Sequence, residues 1–239
     1  MRKRKNKVGN NIKARNASWS FSGIEKSFEN HISTSVPMYN EAHEIALNIS
    51  DFFLKDDSKV LDIGCSTGLF LKKLSLRAKN KNPKLVGVDN ISSMIKFCKK
   101  KNPKKIKFFC KDYLKLKQSK LKYNFISAFF TLQFVPPPQR QIFINKIFKE
   151  LNWGGAFVLF EKIRGPDARF QDIFSLTYQD FKLSKGLSEE EIVNKSRSLK
   201  GIMEPFSDAG NIALLKRAGF SDITGIFQWM CFKGYLVIK

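Results

Sequence analysis

The sequence predicts a doubly wound α/β fold: a seven-stranded, mostly parallel sheet with its last strand antiparallel, carrying a cap of two helices. Three observations carry that expectation. Short apolar runs alternate with segments of 3.6-residue apolar spacing from residue 58 to residue 161. The first run, "VLDIG" (60–64), breaks into the glycine-bracketed loop "GCSTG" (64–68) just before a helical pattern resumes. Two helical segments with no strand between them fill 165–206. Alternating strands and helices build parallel βαβ units with right-handed crossovers.

Each element follows from its local pattern. "NEAHEIALNISDFFL" (40–54) has helical apolar spacing through Ile45, Leu47, Ile49, Phe52 and Phe53. "KVLDIG" is a short strand, and "TGLFLKKLSLRA" a helix for which Thr67 is the expected N-cap. "KLVGVDN" (84–90) is the second strand, followed by a helix opened by Ser92. "KIKFFCKDY" alternates as a third strand, "YNFISAFFTLQFV" reads as a fourth, and "PPPQRQIFINKIFKEL" is a helix with prolines in its first turn. "GGAFVLFEK" is the fifth strand. In the cap, "DARFQDIFSLTYQDFKL" and "SEEEIVNKSRSLKGIM" are helices, the second with a Ser188/Glu191 capping box. "SDAGNIALLKRAGF" is a helix ended by Gly219, and strands around 221–228 and 231–238 form an antiparallel pair at one edge.

Composition narrows the function classes. The chain has 239 residues and 43% hydrophobic content, enough for one α/β domain (19–239, with the cap as an insertion) behind a basic, disordered tail at 1–18. The longest apolar run, 125–135, is too short to span a bilayer, so no membrane association is expected. Cys65, Cys98, Cys110 and Cys231 show neither a CxxC pair nor metal-ligand spacing, which predicts free thiols in a cytoplasmic setting and no metal. The net charge of +22 invites a nucleic-acid reading. Yet the 43 basic residues comprise 34 Lys and 9 Arg, and Arg is the residue suited to bidentate phosphate and base contacts. Direct nucleic-acid binding is therefore not the expectation. His31 and His43 are the only histidines, and no Ser/His/Asp or Cys/His relay can be assembled. Tyr39 and Trp229 are expected to line a pocket.

In an open α/β sheet, ligands sit beyond the carboxyl ends of the strands, where the strand order reverses. Gly64 and Gly68 allow close backbone approach there, and the helix N-terminus behind them offers free N–H groups. No Lys follows Gly68, so the loop is not a nucleotide-triphosphate P-loop, and GCSTG lacks the GxGxxG spacing of a dinucleotide site. S-adenosyl-L-methionine is the remaining ligand. Asp62 ends the first strand. Asp89 ends the second, 21 residues after Gly68, where a carboxylate accepts from both ribose hydroxyls. Asp112 ends the third, where a carboxylate takes the adenine amino group.

With these residues in place, the stretches "SVPMY", "DIGCSTG", "VDNISSMI", "FTLQFVPPPQRQ", "LNWGGAFVLFEK", "QDFKLSKGLSEEEI" and "LLKRAGF" resemble the carboxy-S-adenosyl-L-methionine synthases, within the Rossmann-like class I methyltransferase fold. The resemblance runs from about residue 19 to the C-terminus. It implies a cofactor, S-adenosyl-L-methionine or its carboxy derivative, held by Tyr39, Gly64, Cys65, Ser66, Asp89, Asn90, Asp112 and Tyr113 beside Asp62 and Gly68. It also implies a homodimer in the cytoplasm that feeds tRNA wobble-uridine modification. The implied reaction moves a carboxyl group from prephenate to the methyl carbon of the sulfonium, leaving phenylpyruvate. Three positions depart from the family pattern. Ser196 stands where the family places a carboxylate-gripping Arg, Thr34 replaces an Arg, and Phe129 replaces an Asn. Lys195 and Arg197 flank Ser196 and are the expected cationic contacts for substrate carboxylate. The alternatives are a class I methyltransferase acting on a different small molecule, and a catalytically lapsed basic module that binds RNA or protein.

Overall fold

The computed structural model describes residues 20–117 and 122–239; the expectation of a tail at 1–18 lies outside these residues. Fifteen helices and strands are present among them. Helices α1 (Phe28–Ser35) and α2 (Tyr39–Ser50) precede strand β1 (Lys59–Ile63), helix α3 (Leu69–Arg77) and strand β2 (Lys84–Asp89). Helix α4 (Ser92–Lys101), strands β3 (Lys107–Cys110) and β4 (Tyr123–Phe129), helix α5 (Pro137–Glu150) and strand β5 (Leu151–Lys162) follow. Then come helices α6 (Ala168–Ser184), α7 (Glu189–Ser198) and α8 (Asp208–Ala218), and strands β6 (Asp222–Trp229) and β7 (Phe232–Ile238).

The strands form one sheet in the order β3-β2-β1-β4-β5-β7-β6. Strands β1 to β5 pair in parallel, while β7 runs antiparallel to both β5 and β6. The order reverses between β1 and β4, which opens the crevice that such sheets use for ligands. Period-2 alternation sorts the strand side chains into two cores. Val60, Ala156, Val158 and Phe160 face the layer of Phe70, Leu71, Leu74, Ile95 and Cys98 on α3 and α4. Leu61, Ile63, Phe157 and Leu159 face Phe143, Ile144, Ile147, Leu214 and Leu215 on α5 and α8. A fully buried side chain of this size contributes about 1.5–3 kcal/mol, so both faces of the central strands must be covered.

The capping signals act largely as the sequence indicates. Ser188 and Glu191 form the capping box of α7, Pro137 and Pro138 occupy the first turn of α5, and Gly219 (φ +110°) ends α8. Helices α6 and α7 lie together over the carboxyl edge of the sheet, with no strand between them.

Three expectations are corrected, and one helix is not foreseen by the sequence pattern. Thr67 is not an N-cap: Gly68 (φ +77°) takes that place without a side-chain bond, and the Thr67 hydroxyl donates to Glu29 Oε1 at 3.4 Å. "TLQFV" does not extend β4, because Leu132–Phe134 is a 3₁₀ turn. The 40–54 helix stops at Ser50, whose hydroxyl bonds back to Leu47 O. Helix α1 was missed because "FENHISTS" carries only two large apolar residues and no side-chain cap.

Candidate active site

The loop after β1 makes the floor of a cavity of about 1240 Å³ that runs from the strand ends to the cap. Gly64 has φ +73°, and a Cβ there would lie 2.2 Å from Thr131 Oγ1. The Thr131 hydroxyl is shared between Ile63 O and Phe129 O, each at 3.1 Å, so it clasps the ends of β1 and β4 together. Only a glycine lets the two strand ends close to that distance. Ser66 also sits at positive φ (+50°), and its buried Oγ has no hydrogen-bond partner among the described residues. Gly64, Cys65 and Ser66 all line the cavity.

The acids at the strand ends have different duties. Asp89 Oδ2 accepts from Ser66 N (3.0 Å) and Oδ1 from Ile91 N (2.8 Å), which fixes the carboxylate at the cavity wall. Desolvation pushes its pKa up, against those two backbone bonds. Each carboxylate oxygen retains a lone pair for a ligand hydroxyl. Asp112 Oδ1 accepts from Leu114 N (2.9 Å), and the residue lines the cavity beside Asn90. Asp62 is only 2% exposed and accepts from Ser127 Oγ at 2.7 Å; burial raises its pKa to about 7. Tyr113 reaches the cavity wall, but its hydroxyl turns away and donates to Glu150 Oε2 at 2.8 Å. Cys65 is buried in the loop, and the thiol of Cys98 donates to Ser66 O at 2.9 Å, so both act as small packing residues. Gly68 opens α3 and does not line the cavity.

Aromatic rings form the middle of the cavity. Tyr39 packs on His43 with ring centroids 4.5 Å apart, and His43 meets Phe129 at 4.4 Å. Burial drives the His43 pKa down to about 3, so the ring is neutral, and its Nδ1 has no partner among the described residues. Phe129 also stacks on Phe160 at 5.2 Å. Phe130 adopts φ +55°, a conformation that costs a bulky L-residue roughly 1–2 kcal/mol. Its N–H donates to Phe160 O at 2.6 Å, and its ring packs on Phe160 and Phe232, which hold the strained turn in place. Trp229, expected in the pocket, instead packs on Phe181 and Phe232 and is not part of the cavity wall.

Beside this turn lies a network that no local sequence pattern announces. The carboxylate of Glu161, 2% exposed, accepts from Leu132 N (2.8 Å) and Gln133 N (2.9 Å). Arg140, 1% exposed, donates to Val135 O and Gln133 O and lies 4.3 Å from the centre of the Phe206 ring. Together they pin the 3₁₀ turn against β5. Burial nevertheless raises the Glu161 pKa to about 8.

The cap end of the cavity is cationic. Lys195 on α7 donates to Ser35 Oγ (2.6 Å) and lies 3.0 Å from His31 Nε2. Burial lowers the His31 pKa to about 3, which leaves a neutral ring able to accept from the ammonium. Burial, then the nearby Lys182 and Lys162, brings the Lys195 pKa down to about 7. Arg197 and Ser196 also line the cavity. None of the three departures offers a polar group of its own to this space. Thr34 Oγ1 bonds to His31 O, Ser196 Oγ bonds to Ile192 O, and Phe129 sits in the aromatic cluster.

The residues present fit an adenosyl ligand. A fixed carboxylate stands at the end of β2, an orphaned hydroxyl in the glycine loop, and the space exceeds the 300–1,000 Å³ of a usual single-ligand pocket. Comparison with known proteins agrees. Residues 60–155 match the family model described as "Methyltransferase domain". The carboxy-S-adenosyl-L-methionine synthase of Staphylococcus epidermidis is 35% identical over 224 residues, covering 92% of this chain and 97% of that one. The protein of the same name from Nautilia profundicola is 35% identical over 219 residues, covering 90% and 92%. Among solved structures, the plantazolicin methyltransferase BpumL, in complex with S-adenosylhomocysteine (SAH) and a desmethylPZN analogue, superposes with a TM-score of 0.64 at 16% identity, covering 89% of this chain and 90% of that one. Human N-acetylserotonin methyltransferase in complex with S-adenosylmethionine gives 0.61 at 15% identity, covering 91% and 56%.

Proposed function

The chain belongs to the carboxy-S-adenosyl-L-methionine synthase family and is an S-adenosylmethionine-dependent enzyme, and from that membership we propose that its second substrate is prephenate. The observation that carries the proposal is one continuous cavity with carboxylates at the strand ends and cations under the cap. In this reading Asp89 holds the ribose hydroxyls, Asp112 the adenine amino group, and Ser66 with the loop amides the amino-acid tail. Tyr39 and the Phe129 cluster flank the sulfonium. When bound, the sulfonium acidifies its methyl carbon and so supplies the carbon that takes up the carboxyl group. The balance is one carboxyl group transferred, one proton lost from the methyl carbon, and prephenate's ring hydroxyl leaving with that proton as water while the ring becomes aromatic. Lys195 and Arg197 neutralise substrate carboxylate at the cap, and α6 and α7 keep bulk water from the reacting carbon.

The family resemblance extends the proposal to a cytoplasmic homodimer whose product serves tRNA modification. Four free cysteines accord with a reducing compartment. Phe170, Ile173 and Leu176 on α6 and Val193 on α7 are 45–62% exposed and form an apolar face on the cap, available to a second copy.

A second reading, methyl transfer to another small acceptor, is favoured by Thr34, Phe129 and Ser196, which turn their polar groups inward or carry none. The two separate by tracing the carbon. Prephenate labelled in its ring carboxylate is incubated with the protein and S-adenosylmethionine, and the nucleoside product is weighed. Gain of one labelled carboxyl group is expected. Cofactor binding without that gain at any pH near neutrality leaves ordinary methyl transfer as the better account.

A further inference from the structure

The sheet carries opposite charges at its two edges. Strands β1, β2 and β3 each begin with a lysine (Lys59, Lys84 and Lys107), while Asp62, Asp89 and Asp112 wall the cavity at their far ends. The register sets Lys59 beside Lys84. The row continues across the sheet. Lys122 stands just before β4, Lys149 lies on the last turn of α5, and Lys239 follows β7, whose antiparallel course returns it to the same edge. Of these six lysines, only Lys84 forms an ion pair among the described residues, an exposed one with Asp57 at 3.8 Å. Asp222, which begins β6, offsets part of the charge at one end of the row.

Trp153 stands within this row. The pairing of β4 with β5 passes from Tyr123↔Leu151 to Phe125↔Ala156, so residues 152–155 bulge from the amino edge. Gly154, at φ +71°, turns the bulge, and its N–H donates to Lys239 O. Trp153 is 88% exposed. Lysines gather beside it. Lys122 Nζ donates to Lys149 O, and Lys239 Nζ donates to Phe148 O (2.7 Å) and Leu151 O (3.0 Å). Burial, then the charge of Lys122, lowers the Lys239 pKa. These bonds cap the carbonyl end of α5, but an ammonium has three donors, and capping gives no reason for an exposed indole.

An exposed aromatic face flanked by ammonium groups can act as a stacking platform. Bases stack on such a ring whatever their identity, and lysines follow phosphates without reading sequence. The excess of Lys over Arg argues against base-specific contacts, yet it suits a surface that tolerates any sequence. A lipid surface would call for several apolar side chains beside the indole, and its chain neighbours are Asn152 and Gly154. We propose that the amino edge of the sheet, around Trp153, Lys122, Lys149 and Lys239 and continued by Lys59 and Lys84, binds single-stranded nucleic acid, with a base on the indole and backbone phosphates on the lysines. This surface and the cavity lie at opposite ends of the strands, so both can be occupied at once.

The test is fluorescence anisotropy of a labelled oligouridylate of about ten nucleotides with the full chain, its length within the usual site size of a single-strand groove. Wild-type protein is expected to bind it, with log affinity falling against log salt at a slope of about −3 for roughly four phosphates. Trp153→Ala should weaken binding roughly tenfold, while Trp153→Phe keeps a ring and should stay within about threefold. Lys149→Glu should weaken binding roughly tenfold as well. Each variant should bind SAH as wild type does, which also reports that it is folded, and saturating SAH should leave oligouridylate affinity unchanged. Heparin, a polyanion without bases, should bind wild type and Trp153→Ala alike. Absence of oligouridylate binding at low salt overturns the proposal. So does binding indifferent to Trp153→Ala and Lys149→Glu, which moves the contact to other basic residues such as those among 1–16. Displacement of the oligonucleotide by SAH, or an equal loss of heparin binding in Trp153→Ala, overturns it too. Phosphatidylserine vesicles bound in preference to the oligonucleotide, with the same dependence on Trp153, would give the surface to lipid and overturn nucleic acid.

Discussion

The proposed function makes Asp89 the residue that holds the ribose of the cofactor. Its two backbone bonds hold the carboxylate at the cavity wall, so little ordering remains to be done when a ribose arrives. Removing a charge-assisted contact costs about 1.5–3 kcal/mol, so Asp89→Ala should weaken S-adenosylmethionine binding roughly ten- to a hundredfold by calorimetry. Unchanged affinity in the folded variant would remove Asp89 from the site. Asp62 makes a different prediction. Burial raises its folded-state pKa to about 7, above the unfolded carboxylate value. Its contribution to stability is thus fully present below the unfolded value and is lost as pH rises through 7. Wild-type Tm should fall more between pH 5 and pH 8 than that of Asp62→Asn, in which the group cannot ionise; parallel Tm curves would contradict the assignment. Asp62 and Asp89 were legible because an acid at the end of an apolar run is a strong local signal. The Tyr113 hydroxyl was not, since the direction of a side chain at a strand end depends on the helix packed behind it, here Glu150 of α5.

At the scale of elements, the turn after β4 shows why a motif can be conspicuous before its structure is known. "FTLQF" carries the family resemblance, and its apolar run predicts continuing strand where the structure has a 3₁₀ turn. What bends it is a partner 28–29 residues away, the Glu161 carboxylate that takes the N–H groups of Leu132 and Gln133. No local pattern reveals a bond of that range. Glu161→Ala would leave both buried donors unpaired at about 1–3 kcal/mol each. Chemical denaturation should therefore show a loss of about 2–6 kcal/mol, and a loss below about 1 kcal/mol would mean that the turn is held by Arg140 alone. The strands and the sheet-covering helices were readable because apolar periodicity is imposed by the core on either side. Helix α1 was not, since it contributes polar residues, His31 and Ser35, to the cavity wall rather than a full apolar stripe to the core.

For the whole molecule, the net charge of +22 divides into parts with different meanings. Among the described residues from 96 to 117, Lys111 is the only basic residue that lines the cavity, while Lys99, Lys100 and Lys101 are exposed on the last turn of α4. The cap lysines are the ones buried beside the site. Net charge alone could not distinguish these groups, because the distinction is one of placement. The cap also carries the apolar face proposed for a second copy. Leu176→Asp should shift the protein from dimer to monomer in sedimentation analysis while leaving cofactor affinity unchanged, and a dimer insensitive to that change would move the interface elsewhere.

The central claim is that one cavity orders two ligands by charge, adenosine at the strand ends and carboxylates under the cap. A crystal structure with SAH and prephenate tests it most directly. The ribose hydroxyls should lie within hydrogen-bond distance of Asp89, with prephenate carboxylate on Lys195 and Arg197. An adenosyl group away from Asp89, or prephenate bound outside the cap with those two cations untouched, would contradict the account.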